Sequence, residues 1–432
     1  MLLGLGLFII APSPALADVS SETRFIINAL ALLYHGMLVL FMSTGFSMLE
    51  AGSVRTKSVT TILLKKICLI ALAALSYYVL GWALMFEGVN GGFIGTIDIW
   101  RPDDAAALAG DFSAGAPSIA TWWFQMLFCV AAASIISGAM AEREKLWAFF
   151  AFVVIHSAVI YPIQGAWGWG GGWLDDIGFA DFAGGAHVHA TAGWAALTGL
   201  IVLGPRRGRF AADGTPRSMP ASSLPLVTLG TLILWLGWLG FTGGTVQSFA
   251  SAADAIKLAT VYANTTMAAC AGLLTAVVLS HIRTRKIDLL MVLNGALAGL
   301  VSITAGPETP GIGLAMAIGA VGCSLMFVTT SILLKCRIDD VVGAVPVHLS
   351  CGIWGVLAVP LSNDDTSIVT QLIGVGAISA FSLVTSLMTW LALQHTISLR
   401  LSQGEEAVGI DRAEAGALAY PEFETRSLAG DP

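Results

Sequence analysis

The sequence predicts an all-α polytopic membrane protein of eleven transmembrane helices, arranged as two inverted five-helix repeats followed by a final helix. Three observations predict it. Of the 432 residues, 56% are hydrophobic and only 11% carry Asp, Glu, Lys or Arg, against roughly a quarter in an ordinary soluble domain; the mean hydropathy is +0.80. Apolar runs of about 20 residues, each sufficient to cross a hydrocarbon core of roughly 30 Å as a helix, recur along almost the whole chain. The loops between them alternate in charge, basic and then acidic, as short loops on the two sides of a membrane do.

The chain opens with MLLGLGLFII, too short to span, and then offers an Ala15-Leu16-Ala17 site of the small-x-small kind. Residues 1–17 therefore read as a signal peptide cleaved before Asp18, or as a misplaced start, with the mature N-terminus outside. The membrane domain, 18–400, holds spans expected at 25–48, 58–86, 119–141, 146–165, 183–204, 222–246, 254–281, 287–303, 310–335, 340–361 and 367–399. Arg55 and Lys57, Arg143 and Lys145, the run from Arg206 to Arg217, Arg283 to Lys286, and Lys335 with Arg337 all fall on one side, the cytoplasmic one,. The alternate loops carry Glu87, Asp98, Asp103, Asp104, Asp111, Asp175, Asp176, Asp254, Glu308, Asp364 and Asp365, with Arg101 the main exception. Residues 401–432 then form a cytoplasmic tail.

This segregation empties the formal net charge of −7 of meaning for partners. No basic stripe interleaved with aromatics supports nucleic-acid binding, and no nucleophile, metal or nucleotide motif supports an enzyme or a cofactor. The six cysteines lie in or at the ends of apolar runs without CxxC spacing and read as small buried residues,. The 48 glycines let helix backbones approach closely,.

A Gly-Phe pair ends the first span (Gly45, Phe46) and recurs in the sixth (Gly240, Phe241), while His189 lies in the fifth span and His348 in the tenth. Five spans being odd, two such halves insert with opposite orientation. A histidine in the hydrocarbon region is costly and marks function. At 1.5 Å per residue both imidazoles reach about 10 to 12 Å from opposite boundaries, hence similar depth. Two neutral imidazoles at one depth can hydrogen-bond a small polar solute or pass a proton; the alternative is two unrelated core histidines. His187 adds an HVH pattern suggestive of a metal, but residues two apart on an α-helix point about 200° apart, which argues against one shared ion. His35, His156, His281 and His395 are single and read as structural or interfacial. The WGWGGGW run, Trp167 to Trp173, reads either as interfacial anchoring or as an aromatic mouth for a small cation. Phe124 and Phe128, one turn apart, with Phe241 in the second half, form an apolar constriction if they converge.

The segments GFSMLEAGSVRTKS from Gly45, MAEREK from Met140, DFAGGAHVH from Asp181, LGWLGFTGGT from Leu236, IDDVVGAVPVHLSCGIWG from Ile338, and GID with a following Tyr420 together resemble the Amt/MEP/Rh ammonium transporter family. The resemblance runs from the first span to the tail. It implies a homotrimer with a pore in each subunit, in which Trp169, Phe128 and Thr245 recruit ammonium, Phe128 and Phe241 stack as a gate, and His189 with His348 line the pore. Asp181 would shape the outer site without meeting the solute. Thr245 stands where familiar bacterial members carry Ser, and His187 where an apolar residue is expected.

Ammonium and potassium match in size and charge, but ammonium donates four hydrogen bonds and can shed a proton. An aromatic mouth, a dehydrating gate and an uncharged histidine-lined pore would admit ammonia and refuse potassium. The expected function is ammonium transport across the cell membrane, with the proton either carried separately or left outside. The alternatives are an ammonium sensor signalling through its tail and a partner, for which the resemblance suggests a PII-type protein, and a gas channel.

Overall fold

In a hydrocarbon layer the backbone has no water to pair with, so an apolar chain closes its hydrogen bonds within helices. The computed structural model of the protein follows that rule: residues 19–423 are described, and no strand forms among them. The segment expected as a signal, 1–17, lies outside the described residues. The membrane elements are α1 (Ser21–Ser53), α2 (Thr56–Phe86), α3 (Ser118–Ala139), α4 (Leu146–Asp176), α5 (Gly185–Leu203), α6 (Leu224–Gly244), α7 (Ala252–Thr284), α8 (Leu289–Ile303), α9 (Ile312–Lys335), α10 (Val345–Leu361) and α11 (Ile368–Thr396). Among the described residues, nine of these are long and apolar enough to cross a membrane, while α8 and α10 are shorter. The 15 residues of α8 rise only about 22 Å, less than the roughly 30 Å of a hydrocarbon core. Conversely the 33 residues of α1 extend about 50 Å, so this helix tilts or projects.

Serine caps start several spans at the point where apolar residues begin: Ser20, Ser223, Ser251 and Ser367 each accept from a backbone N–H of the following turn,. Small residues set the packing. A Cβ on Gly230 of α6 would lie 2.3 Å from the Leu49 backbone nitrogen of α1, and one on Gly45 would lie 2.8 Å from Leu234 Cγ. Only glycine lets these two backbones touch.

Both α5 and α10 begin with a π turn, Gly185–Ala190 and Val345–Ser350, and each turn is capped by an aspartate from the preceding loop. Asp181 accepts from the backbone N–H of Gly185 at 2.6 Å and of Ala186 and His187 at 2.9 Å. Asp340 accepts from Gly343 at 3.0 Å and Val345 at 2.8 Å. Each aspartate precedes a histidine, His189 or His348, by the same eight residues. The wider turn re-aims side chains where a regular helix would carry them elsewhere.

The end of the bundle that carries the basic loops is charged but internally paired. Lys65 pairs with Glu144, Lys66 with Glu50, and Arg206 with both Glu142 and Asp339, all buried. The tail docks on this end. Lys57 Nζ donates to the carbonyls of Glu406 and Ala407, the Glu406 carboxylate accepts from Arg400 and from the Arg207 backbone, and Asp411 accepts from the Thr60 and Thr61 backbone at the start of α2.

Candidate functional site

At the opposite end, Trp169, Phe128 and Thr245 line one cavity of about 510 Å³ together with Trp82, Gln125, Phe182 and others. Each arrives from a different element: Phe128 from α3, Trp169 from the turn near the end of α4, Thr245 from the last residue after α6. Trp169 is held by its indole N–H, which donates to the Asp181 carbonyl at 2.8 Å, and by the edge of Phe128, ring centres 5.9 Å apart at 80°. The Thr245 hydroxyl donates back to the Phe241 carbonyl at 2.9 Å, so its proton is spent and its oxygen lone pairs remain for an N–H donor. Asp175 adds a carboxylate to the cavity wall.

Asp181 does not line this cavity. Its carboxylate is consumed by the π turn of α5, and burial pushes it up to about 6 while the N–H groups of His187, Ala186 and Gly185 pull it down,. It organises the backbone that carries His189.

Below the cavity a continuous ladder of rings begins. Phe128 stacks on Phe241 with ring centres 3.9 Å apart at 17°, and both are buried. Phe124 packs on the far side of Phe128, 4.9 Å away and tilted, against Gly244, outside the stacked pair. Phe241 lies 5.7 Å from His189, and His189 lies 5.1 Å from His348, ring centre to ring centre. The two imidazoles meet through Nδ1 at 3.1 Å. Such a contact needs one donor and one acceptor, so one ring carries its proton on Nδ1 and the other on Nε2. The free Nε2 atoms then differ, one an acceptor and one a donor. Beyond His348 a cavity of about 20 Å³, lined also by Phe46, Glu50 and Asn294, has room for one water-sized molecule. From Phe128 to His348 the ladder carries no fixed charge.

His187 and His189 go different ways from the π turn. His187 Nδ1 is 2.7 Å from Gln164 Oε1, and its ring lies 4.8 Å from Trp169. Trp167 is buried, with its indole N–H on the Phe93 carbonyl at 2.8 Å, so the WGWGGGW run folds inward and is not an interfacial anchor at that residue. His35 bonds Ala31 and Tyr262, and His156 is buried against Phe152.

Three participants escaped the sequence reading. Trp238 stacks on His189 at 5.1 Å and 12°, with its N–H on Thr304 at 2.9 Å; its spacing one turn before Phe241 was the available signal. Asp340 is the counterpart of Asp181. Gln164 has no local signal at all.

Residues 30–420 match the model of the Ammonium Transporter Family. The chain is 37% identical to ammonium transporter Amt2 of Archaeoglobus fulgidus over 90% of its own length and 87% of that protein, and 36% identical to ammonium transporter Amt2 of Haloferax mediterranei over 94% and 92%. Among solved structures, a Sensor Amt protein superposes with a TM-score of 0.85 at 30% identity, covering 92% of this chain and all of that one. Mep2 of Saccharomyces cerevisiae superposes at 0.78 with 25% identity over 90% and 92%. With rings, histidines and capping aspartates arranged along one path, and a match running over nearly its whole length, this multi-pass membrane chain belongs to the Ammonium Transporter Family.

Proposed function

We propose that the protein recruits ammonium at the cavity formed by Trp169, Phe128 and Thr245, strips it of a proton, and conducts ammonia past Phe128 and Phe241 along His189 and His348. The observation that carries this reading is the unbroken ladder from Trp169 through Phe128, Phe241 and His189 to His348, without a fixed charge below the cavity. At its head, aromatic faces attract a cation, and Thr245 and Asp175 offer oxygen to its N–H groups. The stacked phenylalanines demand that the solute shed its water. A potassium ion that does so gains nothing from imidazoles, whereas ammonia donates to the acceptor Nε2 and accepts from the donor one. The released proton either follows a separate route that includes the histidine pair or stays outside.

The setting we propose is a cell membrane, crossed eleven times, with α8 and α10 as the two short spans of an inverted repeat, the N-terminus outside and the tail in the cytoplasm. The assembly is a homotrimer with one path per subunit, and the charged end is the surface for a PII-type regulator.

Growth on low ammonium of a strain lacking its own ammonium carriers tests transport. Rescue by this chain supports it; no growth, with the protein present in the membrane, overturns it. A second reading, ammonium sensing, is favoured by the likeness to the Sensor Amt protein. It predicts ammonium binding without rescue.

A further inference from the structure

The buried pair of Gln164 and His187 has no part in the path above, although His187 stands where an apolar residue is expected. Gln164 Nε2 donates to the carbonyls of Tyr161 and His187, both at 2.9 Å, which fixes the amide so that Oε1 faces His187 Nδ1. The imidazole therefore carries its proton on Nδ1. Its Nε2 is a lone-pair acceptor, buried and without a partner. It abuts Gly168, where a Cβ would fall 2.4 Å away. The ring is wedged between Phe179, 5.8 Å distant and edge-on, and the indole of Trp169 at 4.8 Å and 49°. Trp169 itself fits because Gly184 has no side chain, a Cβ there falling 2.9 Å from its Cη2.

From this geometry we infer that His187 is a positioning residue for substrate recruitment: locked by Gln164 and admitted by Gly168, it backs the Trp169 indole and sets the angle at which that ring meets the cation. Gly168 and His187 are a matched pair, since any side chain at 168 occupies the volume of the imidazole. His187 does not touch the solute; a neutral ring behind Trp169 leaves the indole face free to attract a cation, and a rigid backing fixes where that face points. The inference rests on the proposed role of Trp169.

The test is saturable uptake of radiolabelled methylammonium by cells that lack their own carriers, for the wild type, Trp169→Ala, His187→Ala, His187→Asn, Gly168→Ala, and Gly168→Ala with His187→Ala. His187→Asn retains an N–H for Gln164 and removes the ring, so it separates backing from hydrogen bonding and guards against a fold failure in the alanine variant. Expected is an apparent KM raised about three- to tenfold in both His187 variants, with the maximal rate within about twofold of wild type, because recruitment and not conduction is disturbed. Gly168→Ala alone should be more damaging than Gly168→Ala with His187→Ala, where the clash is gone. An unchanged KM in His187→Asn and His187→Ala, or a double variant as poor as the product of its two singles, overturns the pairing even while Trp169→Ala raises KM. A Trp169→Ala variant with wild-type KM instead removes the reading on which it stands.

Discussion

His189 Nδ1 lies 3.1 Å from His348 Nδ1, and this one contact joins two helices that begin in the same way, each with a π turn capped by an aspartate eight residues before its histidine. One proton sits between the rings, so replacing either imidazole changes the tautomer freedom of the other. His189→Ala and His348→Ala should each lower ammonium transport about tenfold or more, and the double variant should be no worse than the more severe single one, because the two rings work as a unit. Independent, multiplying losses would show that they act separately.

The hydroxyl of Thr245 is bound to the Phe241 carbonyl, which leaves its oxygen as an acceptor. Thr245→Ser should keep the apparent ammonium affinity within about twofold, whereas Thr245→Val should weaken it about tenfold, the scale of a lost hydrogen bond to a charged group at 1.5–3 kcal/mol or somewhat less in a wet cavity. Equal affinities for threonine and valine would remove Thr245 from the site.

Burial raises Asp181 to about 6. As pH falls from about 7 to about 5 it takes up a proton and its hold on the π turn of α5 weakens, while ammonium stays protonated throughout. The apparent KM should rise over that window, and Asp181→Asn should show a raised KM with a flatter profile. A wild-type profile that is level from pH 7 to 5 would contradict this.

Arg206 is buried between Glu142 and Asp339. Arg206→Ala removes the cation that Glu142 and Asp339 share and leaves them only Arg55 and Arg209, a cost below the roughly 3–5 kcal/mol of a buried charge with no partner, visible as a drop in the melting temperature of the detergent-solubilised protein. Burial raises Asp339, but the Arg206 hydrogen bonds and the charges of Arg143 and Arg206 outweigh it, leaving it at about 2. A folded value below the ordinary 3.8 means stability present above about pH 4 and lost as pH falls toward 2. That acid limb should shrink in Asp339→Asn.

Asp411 caps the start of α2 through the Thr60 and Thr61 N–H groups. Asp411→Ala should cost about 1 kcal/mol and raise amide hydrogen exchange selectively across 403–415. Exchange unchanged there would mean that the other contacts of the tail, those of Lys57, Arg207 and Arg400 among them, hold it without Asp411.

Much of this was legible in the sequence because membranes simplify the code. Long apolar runs became helices, and a count of 1.5 Å per residue from opposite ends brought His189 and His348 to one level. Illegible features share a cause, namely partners distant in sequence. A π turn differs from an α turn by less than one residue, so nothing in GAHVHA announces it. Lys65 and Lys66 lie inside an expected span, and only the fold shows that Glu144 and Glu50 meet them there. Phe124 and Phe128 share a face, yet only Phe128 finds Phe241, because α6 meets Phe124 with Gly244, one turn after Phe241. The role of Gln164 required knowing that His187 turns toward α4.

On the proposed mechanism ammonium passes this path as ammonia because the ladder from Phe128 to His348 carries two histidines and no fixed charge. Purified wild-type protein and the His189→Ala, His348→Ala double variant, reconstituted in liposomes, should be compared for ammonium and for potassium flux. Ammonium flux without potassium flux is expected in the wild type, and an ammonium flux lowered at least about tenfold in the double variant. Potassium flux equal to that of ammonium, or undiminished ammonium flux without the two histidines, would contradict it.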